Sequence, residues 1–97
     1  MKTTDEIIGI LKQFKPIAEK KYGLTRIGLF GSVARGEQHD GSDVDVCYEG
    51  RIPTLLILDQ MQTELEQLFG CPVDMVRIRK QMNPLLNNRI KKEAIYV

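Results

Sequence analysis

The stretch from Gly31 to Val46, Gly-Ser-Val-Ala-Arg-Gly-Glu-Gln-His-Asp-Gly-Ser-Asp-Val-Asp-Val, constrains this chain more than any other. Its first half follows the apolar run Ile27-Gly28-Leu29-Phe30, which reads as a short buried strand, so Gly31 stands where a strand ends and a short helix begins. Such a junction suits anions. Amides at a helix start lack intrahelical partners, the helix dipole adds positive potential, and a glycine lets phosphate oxygens come close. Ser32 adds a hydroxyl to the same cradle.

The second half, Ser42-Asp43-Val44-Asp45-Val46, alternates polar and apolar residues on through Cys47 and Tyr48, as a strand with one buried face does. Alternation sends Val44, Val46 and Tyr48 into a core and sets Asp43 and Asp45 on the other side. Two carboxylates a pleat apart repel unless a positive charge lies between them. Hard oxygen ligands at this spacing suit Mg²⁺ or Mn²⁺, which keep several waters and take further ligands from substrate phosphates. A phosphate cradle beside a metal-binding carboxylate pair implies nucleotide chemistry.

The pattern Gly31-Ser32-x-Ala34-Arg35-Gly36 with Ser42-Asp43-x-Asp45-Val46 resembles the signature of the DNA polymerase beta-like nucleotidyltransferase superfamily, in its minimal nucleotidyltransferase (MNT) branch. The resemblance covers nearly the whole chain and implies a third acid on a later strand, which falls on Asp74 in Pro72-Val73-Asp74-Met75-Val76. It implies nucleotide-binding positions at Gly31, Ser32 and Ser42, with Asp43, Asp45 and Asp74 as the catalytic and metal-holding acids. A Gly-Ser pair alone is usually a turn and an Asp-x-Asp alone a solvated edge, so the weight lies in the two halves occurring together. Arg35 either pairs locally or orients the acids. Local pairing is the reading adopted, and Arg35 is not counted as catalytic.

Other segments read as support. Thr3 and Glu6 have capping-box spacing, and Ile7, Leu11, Phe14, Ala18 and Tyr22 predict an amphipathic helix that ends at Gly23. Pro16 predicts a kink or one-turn break near Phe14-Lys15. Thr25 to Phe30 is the first expected strand, and Glu37 to Gly41 is a loop into the second. Pro53 is placed in the first turn of another helix, with Leu55, Leu58, Met61, Leu65 and Leu68 on one face and Gly70 as its cap. Val73 to Val76 is a third strand, with Val73 and Met75 toward the core and Asp74 toward Asp43 and Asp45. Asn83-Pro84 starts a last helix through about Lys92, and Ala94 to Val97 forms a short strand or a docked tail. The expected fold class is α/β (α+β), a small mixed three- to four-stranded sheet flanked by helices, in one domain over residues 1–97.

Charge narrows the function. The net charge is +1, yet Glu37 to Asp74 holds nine acids against Arg51, and Arg77 to Val97 holds six bases against Glu93. A nucleic-acid binder usually carries a stronger basic balance, so direct binding of duplex is not expected. The basic segment is read as a solvated helix face in preference to a triphosphate or partner patch. No apolar stretch approaches transmembrane length and no leader pattern opens the chain, which predicts a cytoplasmic protein without a membrane span. Cys47 and Cys71 are expected as free thiols, and His39, the single histidine, as a solvent-exposed loop residue.

The implied reaction is transfer of AMP from ATP to an acceptor hydroxyl with Mg²⁺, or possible Mn²⁺, as cofactor, releasing pyrophosphate. No segment is left over to hold the acceptor, which predicts a partner or a second copy, as a hetero-oligomer or homodimer. Stand-alone members of the resembled family are commonly antitoxins paired with a helical HEPN-type toxin and modify one of its tyrosines. The alternatives are a weak or inactive nucleotide- or protein-binding module that neutralises its partner by complex formation and, ranked last, a transferase for a small aminoglycoside-like acceptor.

Overall fold

The structure is a computed structural model that describes residues 2–39, 41–51 and 54–97; Asp40 of the expected loop and Pro53, the expected first-turn proline, lie outside them. The elements run α1 (Thr4–Ile17), β1 (Leu24–Phe30), α2 (Gly31–Ala34), β2 (Val44–Gly50), α3 (Leu55–Phe69), β3 (Val73–Arg77), α4 (Pro84–Glu93) and β4 (Ile95–Tyr96). One sheet of order β3-β2-β1-β4 holds them together.

The α1 start is built as its sequence predicts. The Thr3 hydroxyl accepts the Glu6 N–H at 3.2 Å and the Glu6 carboxylate accepts the Thr3 N–H at 2.9 Å, a reciprocal pair that satisfies two orphan donors. Ile7, Leu11, Phe14, Ala18 and Tyr22 are all buried. The expected break at Phe14-Lys15 does not occur. The α-helix runs past Pro16 to Ile17 and then widens into a π-helical turn over Ala18–Tyr22. Five-residue bonding there keeps Ala18 and Tyr22 in the apolar stripe, so packing holds the chain helical where the proline alone would end it.

The α3 helix begins at Leu55, with the Thr54 hydroxyl accepting the Ile57 N–H at 3.2 Å. Its buried stripe is Met61, Leu65 and Phe69, whereas Leu55 and Leu68, expected inside, are 84% and 43% exposed. Phe69 and Leu68 are adjacent, and the larger ring takes the inward position.

The sheet separates two apolar layers. On one face α1 and α3 pack against Ile27, Leu29, Val44, Val46, Tyr48 and Val73. On the other, α4 brings Ile90 onto Phe30 and Cys47, with Val76 and Leu86 alongside. The α4 start follows expectation, since the Asn83 side chain accepts the Leu85 N–H at 2.9 Å and Pro84 occupies the first turn. The short strand option holds for the segment after it, because β4 pairs antiparallel with β1. Cys47 and Cys71 are free thiols, Cys47 buried and Cys71 partly exposed. Among the described residues no helix is long and apolar enough to cross a membrane.

Candidate functional site

β2 lies between an antiparallel neighbour, β1, and a parallel one, β3. Pairing on both sides fixes the level of Asp45, which stands opposite Phe30 of β1 and opposite Asp74 of β3. The Val44 N–H donates to the Pro72 carbonyl at 3.0 Å and ties the starts of β2 and β3 together. The period of two then puts Asp45 and Asp74 on the α4 face while Val44, Val46 and Val73 fill the opposite core. Asp43 precedes β2 by one residue and is exposed, as is Asp74.

Gly31 meets this pair from the end of β1. Its φ of +77° is a left-handed conformation that favours glycine. A Cβ at this position would overlap the Asp45 carboxylate. The two halves of the sequence motif therefore touch, with the Asp45 side chain seated directly against the Gly31 backbone. The α1 start braces this turn from behind, where the Thr4 hydroxyl donates to the Val33 carbonyl at 2.6 Å.

Burial raises the Asp45 carboxyl above its ordinary range, and the neighbouring charge of Asp74 adds to the effect. Arg89 opposes it, Asp43 reinforces it and Arg35 opposes it again. This is an acidic site short of positive charge. The three carboxylates are not gathered into one coordination shell, and among the described residues no group of three or more His, Cys, Asp and Glu side chains stands ready to hold a metal ion. The donors are nonetheless of the type a hard cation takes, and such ions complete their shells with water and phosphate oxygens.

Ser32 is half-buried one residue after the turn. Ser42 is 8% exposed, and its hydroxyl accepts the His39 N–H at 3.0 Å while its own N–H donates to the His39 carbonyl at 2.9 Å. It closes the turn that delivers Asp43 to β2. A cleft of about 340 Å³ beside this turn is lined by Lys2, Ser42, Phe69, Cys71 and Pro72, while Asp43 and Asp74 stand on an open surface.

The adopted local pairing of Arg35 is present. Its Nε donates to Glu37 and its Nη1 to Glu93, both at 2.9 Å. Glu93 is the unforeseen member of the site, since its other carboxylate oxygen accepts the Gly31 N–H at 3.2 Å. Arg89 lies one helical turn before it. Both share the side of α4 that carries Leu86 and Ile90 onto the sheet. The spacing Leu86, Arg89, Ile90, Glu93 was the available signal that part of the basic segment faces the acids.

Residues 11–97 match the family model described as nucleotidyltransferase domain. The chain is 35% identical over 98 residues to the protein adenylyltransferase MntA of Thermococcus cleftensis, covering all of this chain and 98% of that one. A solved structure described as a minimal nucleotidyltransferase superposes with a TM-score of 0.79 at 29% identity, covering 97% of this chain and 95% of the other. The fold also matches a chain of a solved complex of a tri-AMPylated HEPN toxin of Shewanella oneidensis with an MNT antitoxin, with a TM-score of 0.59 at 19% identity, covering 96% of this chain and 66% of the other.

Proposed function

The chain belongs to the nucleotidyltransferase domain family and is a nucleotidyltransferase of the minimal type; from that premise we propose that it transfers AMP from ATP to a tyrosine hydroxyl of a HEPN-type partner, as the antitoxin of such a pair. The observation that carries this reading is the seating of Asp45 against Gly31 and in register with Asp74, which joins a phosphate-approach point to paired acids. Adenylyltransferase in the name of a 35% identical relative favours AMP as the transferred group. A HEPN toxin beside a neighbour of the same fold favours the partner. Duplex nucleic acid is not the acceptor in this reading.

In the proposed mechanism Gly31 and Ser32 receive the β- and γ-phosphates, the bare glycine allowing close approach. Asp43, Asp45 and Asp74 would hold Mg²⁺ or Mn²⁺, which supplies neutralisation of charge on the phosphoryl oxygens. Ser42 supports the site by fixing the turn before Asp43. Asp74, exposed on β3, would face an incoming hydroxyl and accept its proton as the oxygen attacks the α-phosphorus and the bond to the β-phosphate breaks, releasing pyrophosphate. Orientation by the partner supplies much of the rate, because a hydroxyl held in line reacts as a neighbour instead of a solute.

The test is to incubate the chain and a HEPN-type helical protein with labelled ATP and Mg²⁺, and to map modified residues by mass spectrometry. AMP on a partner tyrosine, lost in Asp43→Asn and Asp45→Asn, supports transfer. The alternative is a binding module that neutralises its partner by complex formation without transfer. A tight complex that never acquires label would establish that alternative.

A further inference from the structure

We propose that Glu93 is an internal stand-in for substrate phosphate, occupying the donors at the glycine turn until a nucleoside triphosphate displaces it; the proposal rests on the nucleotidyltransferase reading above. One carboxylate spans two donors there, the Gly31 N–H at 3.2 Å and Arg35 Nη1 at 2.9 Å. A backbone amide converging with a guanidinium is a donor pair suited to a phosphoryl group, whose oxygens accept both kinds of bond.

The position of Glu93 is unexplained by its helix. It lies in the last turn of α4 after Lys91 and Lys92, where the dipole favours cations and disfavours a carboxylate. What holds it is its contacts across the site. Its side chain is 21% exposed, so it has a short path to water, and the residue after it, Ala94, is already extended. Arg89, one turn earlier on the same face, lowers the charge repulsion at Asp45. The end of α4 thus offers a cation to the acids and an anion to the glycine turn, the complement that a metal-bound triphosphate would otherwise supply. An anion that replaces Glu93 inherits both donors and frees Arg35 to face it, Glu37 remaining as its other partner.

The competing role is a clip that docks α4 onto the glycine turn and keeps that turn in shape. Titration calorimetry of the full chain with inorganic tripolyphosphate, without metal, separates the two. We expect Glu93→Gln to bind about tenfold tighter than the parent, since the bound state no longer has to displace a charged competitor. Glu93→Ala should also bind tighter, with a lower melting temperature in the absence of ligand. Unchanged or weaker binding by the folded Gln variant, or no binding by any of the chains, would overturn the proposal. Tighter binding by the variants with no AMP transfer to the partner would leave the stand-in and remove the transferase reading, and transfer with unaltered tripolyphosphate affinity would do the reverse.

Discussion

Replacing Gly31 by alanine tests whether the two halves of the motif are in physical contact. Two costs arise. An L-residue at φ +77° pays about 1–2 kcal/mol for the left-handed backbone, and the new methyl collides with the Asp45 carboxylate, an overpacking of about 1–3 kcal/mol. The melting temperature should fall by about 8–40 °C, since the costs together are about 2–5 kcal/mol and about 1 kcal/mol corresponds to about 4–8 °C in a domain of this size. The informative comparison is a double-mutant cycle. In an Asp45→Ala background the carboxylate is gone, so Gly31→Ala should cost the backbone contribution alone, leaving a coupling of about 1–3 kcal/mol. Urea unfolding followed by circular dichroism at neutral pH gives the four free energies. Equal costs of Gly31→Ala in both backgrounds would refute the contact.

Two further outcomes follow from the ionisable groups. Asp45 binds its proton more tightly in the folded chain than in the unfolded one, so its contribution falls as pH rises from about 3.8 through the raised value, and the cost is fully present at neutral pH. Asp45→Asn should therefore melt at least as high as the parent at neutral pH in metal-free buffer, with the difference closing as pH falls; a variant that melts well below the parent at neutral pH contradicts this. Burial pushes the Cys47 thiol up to about 11, and its side chain is wholly enclosed. An aromatic disulfide reagent at mildly alkaline pH should react with Cys71 in the folded protein and reach Cys47 after denaturant is added, whereas rapid reaction of both thiols in the native state would rule out the packing of α4 over Cys47.

The parts legible in the sequence were those whose cause is local. The capping box at Thr3 and Glu6, the Asn83-Pro84 helix start and the alternation around Asp45 each rest on residues within one turn or one strand of each other. Asp74 was also reachable, because a period of two either side of it leaves one choice of face. Elsewhere distant packing decides. Whether Leu68 or Phe69 turns inward depends on what α1 and the sheet leave open, and Pro16 stays helical because residues on both sides of it are buried. Glu93 was invisible for the same reason. Its partners, Gly31 and Arg35, lie about sixty residues earlier, and helical phase gives its face without giving the object it faces.

The register of β3 on β2 also has a consequence for how the chain folds. These strands are parallel, so they join only after the connection through α3 has closed, and that closure carries an entropic charge before any ladder bond forms. Its final step brings Asp74 level with Asp45, so two like charges approach as the last of the loop is gathered in. Formation of this strand pair should be among the slower events of folding, faster in mild acid or with divalent cation than in metal-free neutral buffer. A slip of one residue would relieve the repulsion, but it would also turn Val73 and Met75 away from the layer formed with α1 and α3, and that apolar layer enforces the less comfortable alignment.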